Sequence, residues 1–160
     1  MDACTGSDYA DTQTRLSRLT LGIVHDPLTG LRSHGGLVEE IARDPLLAER
    51  VDTHISIVVS VQPPAAANDK ILALVGMRIS RSIRAIDTAA HLGNGEFVVI
   101  VADDADMPMA TAVRLRRSLN LPYVIDGRDM SVRYRMGFAR LQKDNLLTRS
   151  TVFVEAAALR

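Results

Sequence analysis

The residues best placed to do chemistry in this chain are Arg84 and Asp87, a guanidinium and a carboxylate three positions apart. Five residues, Thr88 to Leu92, separate them from Gly93-Asn94-Gly95-Glu96-Phe97, where Glu96 adds a single carboxylate beside two glycines. At i,i+3 spacing the plain structural reading of Arg84 and Asp87 is an ion pair, with Arg84 also favoured by the negative end of a helix dipole. The sharper reading is a recognition pair, because a guanidinium donates bidentately and a carboxylate accepts from N–H groups. Both readings stand on sequence. His25, His34, His54 and His91 lack the spacing of metal ligands. No glycine-rich phosphate loop and no nucleophile motif occurs.

Several elements must position these groups. Apolar residues at 71, 72, 75, 79, 83 and 86 predict a helix that runs into Arg84 and Asp87, with Asn68 as its N-cap. Thr88–Leu92 and Glu96–Val101 read as two strands. Asn94-Gly95 between them fits a type I′ hairpin turn, which needs φ > 0 at both central residues. Ile55, Ile57, Val58, Val59 and Val61 make His54–Val61 an apolar run with β-branched character and few charges, as suits a strand buried on both faces, and Pro63-Pro64 ends it. Tyr9–Val24 reads as a lead helix, and a second begins near Gly36 and resumes after Asp44-Pro45. Asp103, Asp104 and Asp106 form a polar loop before a helix that carries Arg114, Arg116 and Arg117. Tyr123–Ile125 and Met130–Leu141 flank Asp126-Gly127 and read as a second hairpin, and Asn145–Arg160 reads as a last helix.

Composition narrows the class. A chain of 160 residues suits one domain, with residues 1–24 as tail and lead helix and 25–160 as the folded unit. It is 47% hydrophobic but only 4% aromatic, so its core should be aliphatic. Lys and Arg number 19 and so do Asp and Glu; this neutrality gives no electrostatic support for binding nucleic acid or a membrane surface. No apolar run is long enough to span a bilayer, no signal-peptide pattern opens the chain, and Cys4 has no partner for a disulfide. A cytoplasmic location is expected. The element order predicts an α+β fold with a ferredoxin-like, palm-like βαββαβ core, an added hairpin and flanking helices.

Two motifs then resemble one family. Asp26-Pro27-Leu28-Thr29-Gly30-Leu31 is similar to the opening of GGDEF domains, the diguanylate cyclase-like family, where its part is architectural. Gly93-Asn94-Gly95-Glu96-Phe97 resembles their Gly-Gly-Asp/Glu-Glu-Phe turn, and Arg84-x-x-Asp87 their upstream inhibitory site. The resemblance implies a cytoplasmic bacterial signalling domain, and it implies positions for catalysis. One metal carboxylate falls at Ser60, registered on Asn68-Asp69, and the other at Gly95. Guanine contacts fall at Asn68, which matches, and Met77, which does not. Pro64-Ala65 stands for Phe-Lys, His91 for a frequent Arg, and Ala158 loosely for a phosphate-binding Lys. The turn is thus degenerate: Gly93 and Phe97 match, Asn94 and Gly95 depart, and Glu96 survives without carboxylate partners.

The upstream site is intact. Guanine presents O6 and N7 acceptors, which Arg can take bidentately, and N–H donors that a carboxylate can accept. The resemblance implies cyclic di-GMP as ligand, read by Arg84 and Asp87 with an auxiliary arginine, Arg114 or Arg116. The expectation is a catalytically inactive GGDEF-like domain, with no metal cofactor, that binds cyclic di-GMP and signals to a protein partner. The alternative is a nucleotide-independent interaction or dimerisation module; a weakly active cyclase is the third reading.

Overall fold

The structure is a computed structural model, and it describes residues 24–53, 55–102 and 107–140. The expected helices at Tyr9–Val24 and Asn145–Arg160, the Asp103–Asp106 loop and Ala158 fall largely or wholly outside the described residues.

The elements are β1 (Arg32–Ser33), α1 (His34–Arg43), α2 (Pro45–Thr53), β2 (Ile55–Gln62), a 3-10 turn (Ala65–Ala67), α3 (Asn68–Ser82), β3 (Thr88–Gly93), β4 (Glu96–Ile100), α4 (Met107–Leu119), β5 (Tyr123–Ile125), β6 (Arg128–Met130) and β7 (Arg133–Arg140). Five strands form one sheet in the order β1-β3-β4-β2-β7. Only the β1–β3 pairing is parallel. Stripped of β1, the order β3-β4-β2-β7 with α3 and α4 as crossovers is the ferredoxin-like βαββαβ arrangement.

Alternation along β2 explains the layers, because successive side chains leave opposite faces of a strand. Ile57, Val59 and Val61 face α3 and α4 and pack with Ile71, Val75, Ile79, Phe97, Leu115 and Leu119. Val58 faces the other way and joins Val98, Ile100, Leu37, Ile41 and Val51 under α1 and α2. Phe97 and Tyr123 are the aromatic residues among the buried hydrophobic ones described, and the rest of the core is Leu, Ile, Val, Ala and one Met.

Four local expectations change. Asn68 is the first residue of α3 and not its cap; its amide donates to Asp69 at 3.1 Å, and Ala67 occupies the cap. Helix α3 stops at Ser82, so Arg84 and Asp87 lie on a turn after it, closed by Asp87 N–H donating to the Arg84 carbonyl at 3.0 Å. Helix α1 begins at His34, because Ser33 accepts from Gly36 N–H at 3.0 Å and caps it. The second hairpin ends at Met130: β5 and β6 form a two-stranded sheet of their own, and β7 leaves to pair with β2 along its length. The apolar alternation of Val132, Tyr134, Met136 and Phe138 belongs to that central pairing.

Candidate functional site

The β3–β4 hairpin carries both groups of residues, one at each end. At its closed end Gly93 pairs with Glu96 after an irregularity past His91, which leaves Asn94 and Gly95 as a two-residue turn. Their φ angles are +53° and +75°, as the type I′ expectation requires. The turn is docked on β2: Val61 N–H donates to the Gly95 carbonyl at 2.8 Å. A Cβ on Gly95 would overlap the Val61 carbonyl oxygen, so this backbone leaves no room for a side chain there. Ser60 pairs with Glu96 on one side and with Arg135 on the other. Asn68 and Met77 are exposed on α3.

That donor set does not fit a divalent cation, which wants several hard oxygen ligands. Ser60 brings a hydroxyl, Gly95 nothing, and Glu96 one carboxylate. Among the described residues no group of three His, Cys, Asp or Glu side chains could hold a metal ion.

At the open end Asp87 and Ala102 flank the two strands. Asp87 Oδ1 accepts from Ala102 N–H at 2.9 Å, and Oδ2 accepts from Arg84 N–H at 2.9 Å. The Arg84 guanidinium adds a longer contact, Nε to Oδ2 at 3.6 Å. The Asp87 side chain is 0% exposed and that of Arg84 is 34% exposed. A pair that reads a ligand would have both side chains at least partly open to solvent; Arg84 is and Asp87 is not. The reason is local: two backbone N–H groups converge on this carboxylate, and burial leaves them no water to bond.

Of the two auxiliary arginines, Arg114 comes to this end. Its Nε donates to the Ser82 carbonyl at 3.1 Å, at the last residue of α3, and its terminal nitrogen donates to Thr111 Oγ1 at 3.1 Å. Two residues on, Arg116 is turned roughly 200° around α4. Its charge acts on Tyr134, whose hydroxyl burial pushes up and Arg116 partly holds down. The structure does not bring Arg116 to Arg84.

Sequence reading missed a third group. His91 Nδ1 lies 2.7 Å from Asp26 Oδ2, and its ring stacks on Phe97 with centroids 4.5 Å apart. Asp26 also accepts from Thr29 Oγ1 at 2.7 Å. Burial alone would raise the Asp26 carboxyl, but the bonds from Thr29 and His91, together with the histidine's charge, outweigh it and hold the group below its ordinary value. The Asp26-Pro-Leu-Thr-Gly-Leu segment is thus a self-bonded turn anchored to β3. It rests on α3 where Gly76 leaves room: a Cβ there would meet Thr29 at 2.6 Å. The signal available in sequence was an acid in a turn motif and a histidine in a strand otherwise apolar.

Sheet order, crossovers and the tight β3–β4 turn define an α+β, palm-like domain. The family model described as "Diguanylate cyclase, GGDEF domain" matches residues 65–157, more than half of the chain, and the chain belongs to that family. The Asp26–Leu31 turn precedes the matched span. A search of curated proteins found no match. Solved structures with the same fold include a sensory box/GGDEF family protein from Caulobacter crescentus at 26% identity and TM-score 0.61, with 78% of this chain and 90% of that chain covered. DgcB from the same organism, in complex with c-di-GMP, aligns at 16% identity and TM-score 0.66, covering 86% and 80%. The diguanylate cyclase SiaD from Pseudomonas aeruginosa, in complex with its activator SiaC, aligns at 20% identity and TM-score 0.62. That alignment covers 89% of this chain and 62% of SiaD, so the chain spans about three fifths of SiaD's length. Among the described residues no helix is long and apolar enough to cross a membrane.

Proposed function

We propose that this GGDEF domain makes no cyclic di-GMP and instead binds it at the open end of the β3–β4 hairpin, passing the signal to a protein partner. The absence of catalysis rests on Ser60 and on the Gly95 turn, which closes against Val61 where a carboxylate would have to stand. The observation that carries the binding site is Arg114 donating to Ser82, because it sets a second guanidinium beside the turn that bears Arg84. Arg84 and Arg114 then supply the bidentate donors for guanine O6 and N7. Asp87 acts chiefly as a positioning residue that fixes the Arg84 turn, and it meets the guanine N–H edge only once ligand moves the Arg84 side chain aside. A guanine-containing dinucleotide bound by DgcB, a protein of the same fold, supports the ligand class.

The second reading is a nucleotide-independent interaction or dimerisation module. The complete burial of the Asp87 carboxylate between two backbone donors favours it, since such a carboxylate has a full structural role without ligand. Calorimetry with cyclic di-GMP and cyclic di-AMP separates the two. Binding of the first, none of the second, and loss in Arg84→Ala supports the receptor. No heat and no thermal stabilisation at millimolar cyclic di-GMP leaves the interaction module. Incubation with GTP and magnesium or manganese should yield no product; turnover lost in Glu96→Ala would reinstate a cyclase.

A further inference from the structure

Two arginines cap each other's helices. Arg114 of α4 donates through Nε to the carbonyl of Ser82, the last residue of α3, at 3.1 Å. Arg78 of α3 donates to the Ser118, Leu121 and Pro122 carbonyls at 3.2, 2.7 and 2.6 Å, where α4 ends and the chain turns into β5. Residue order reverses between the two contacts, so the helices run antiparallel and each guanidinium stands at the C-terminus of the other. A helix C-terminus presents carbonyls without intrahelical partners and the negative end of the dipole, and a guanidinium satisfies both.

Ser82 joins the two caps. Its carbonyl receives Arg114, and its hydroxyl donates to the Arg78 carbonyl one turn earlier at 2.7 Å. The Arg78 guanidinium also lies over the Tyr123 ring, 3.9 Å from its centroid, and the Tyr123 hydroxyl donates to the Leu119 carbonyl at 3.0 Å. A continuous set of contacts thus runs from the turn that bears Arg84 to the first residue of β5. The β5–β6 ribbon pairs three residues with three, in a sheet of its own. So short a two-stranded ribbon is marginal alone, and its order depends on its anchors. Lys70 bonds Asp126 in its turn at 2.8 Å, but both groups are exposed and such a pair contributes little. The buried side chains of Tyr123 and Ile125, with Arg78 over the first, are the stronger anchor.

We propose that Arg78, Ser82 and Arg114 form a clasp that couples the Arg84 turn to the β5–β6 ribbon, so that a change at either end reaches the other. A ligand on Arg114 then acts on the ribbon, a consequence that rests on the cyclic di-GMP reading; the clasp itself does not. Amide hydrogen exchange on the full chain without ligand tests it, with residues 57–61 of β2 reporting global opening. Arg114→Ala should speed exchange by about threefold or more at residues 123–130 as well as 82–88, beyond any change at 57–61. Arg78→Met should do the same at both places, and Arg78→Lys, which keeps the charge but not the planar fork, should do less. In the Arg78→Met background Arg114→Ala should add nothing at residues 123–130, because the route is already cut. Arg117→Ala, at an exposed arginine of the same helix, should leave both places as in the parent. An Arg114→Ala effect confined to residues 82–88 and α4, or one that reaches 123–130 undiminished in the Arg78→Met background, would overturn the clasp. Failure of cyclic di-GMP to bind would strike the ligand reading alone and leave these outcomes to decide the clasp.

Discussion

The two ends of the β3–β4 hairpin are held in different ways. At the closed end the positions that the family resemblance marks for metal carry Ser60 and Gly95, and the turn's backbone bonds to β2. At the open end Arg84 and Asp87 are both retained, and the carboxylate is tied to backbone on either side of the hairpin. The polar groups of the open end hold the fold, and the closed end is held to β2 through its backbone. A buried carboxylate with two backbone donors is costly to lose, because its removal strands both N–H groups.

The largest break in that comparison should come from Gly95→Val. The substitution forces a β-branched residue to φ near +75° and sets its Cβ against the Val61 carbonyl. A loss of about 4 kcal/mol is expected in urea unfolding, from strain and overlap together. Gly95→Asp should also destabilise, so a simple return of the carboxylate should give neither metal binding nor turnover. A stable Gly95→Asp protein that binds magnesium would show that the closed end is not closed.

Asp87→Ala comes next, at about 3 kcal/mol by the same measurement, since two buried N–H groups lose a charged acceptor. Asp87→Asn should cost roughly half, because one side-chain oxygen remains to accept. An unaltered unfolding midpoint for Asp87→Ala would return Asp87 to a purely ligand-facing role.

A smaller effect concerns the turn at Asp26, which packs behind β3. Its carboxyl is held below the ordinary value in the folded protein, so as pH falls the unfolded chain takes the proton first. The stability it contributes is present above the ordinary carboxyl range and is lost as pH falls through the lowered folded value. Thr29→Val removes one of the bonds responsible and should cost about 1 kcal/mol near neutral pH. The loss of stability on acidification should be shallower than in the parent. Identical acid unfolding curves for the two proteins would remove Thr29 from the account.

Much of the closed end was legible in sequence because its physics is local. Asn94-Gly95 between two short, mostly apolar runs demands positive φ, and the turn formed as expected. The βαββαβ core was legible from element order and from the run of β-branched apolar residues in β2. The open end was not, because its decisive contacts are long-range. Nothing near Asp87 in sequence announces that Ala102 N–H, fifteen residues on, will bond to it. The end of α3 at Ser82 is set by the turn that follows, not by apolar periodicity, which continues to Ile86. The choice between Arg114 and Arg116 depends on which face of α4 meets the end of α3. The strand β7 was misjoined to Asp126-Gly127 because a turn dipeptide cannot say where the second strand stops and the chain moves to another sheet.

Hydrogen exchange with and without cyclic di-GMP tests the contrast between the two ends most directly. Ligand should protect the backbone around residues 82–88 and the Arg114 turn of α4, and should leave residues 93–96 unchanged. Protection centred on Asn94–Glu96, or none anywhere at saturating ligand, would contradict the claim that the open end is the surviving ligand site.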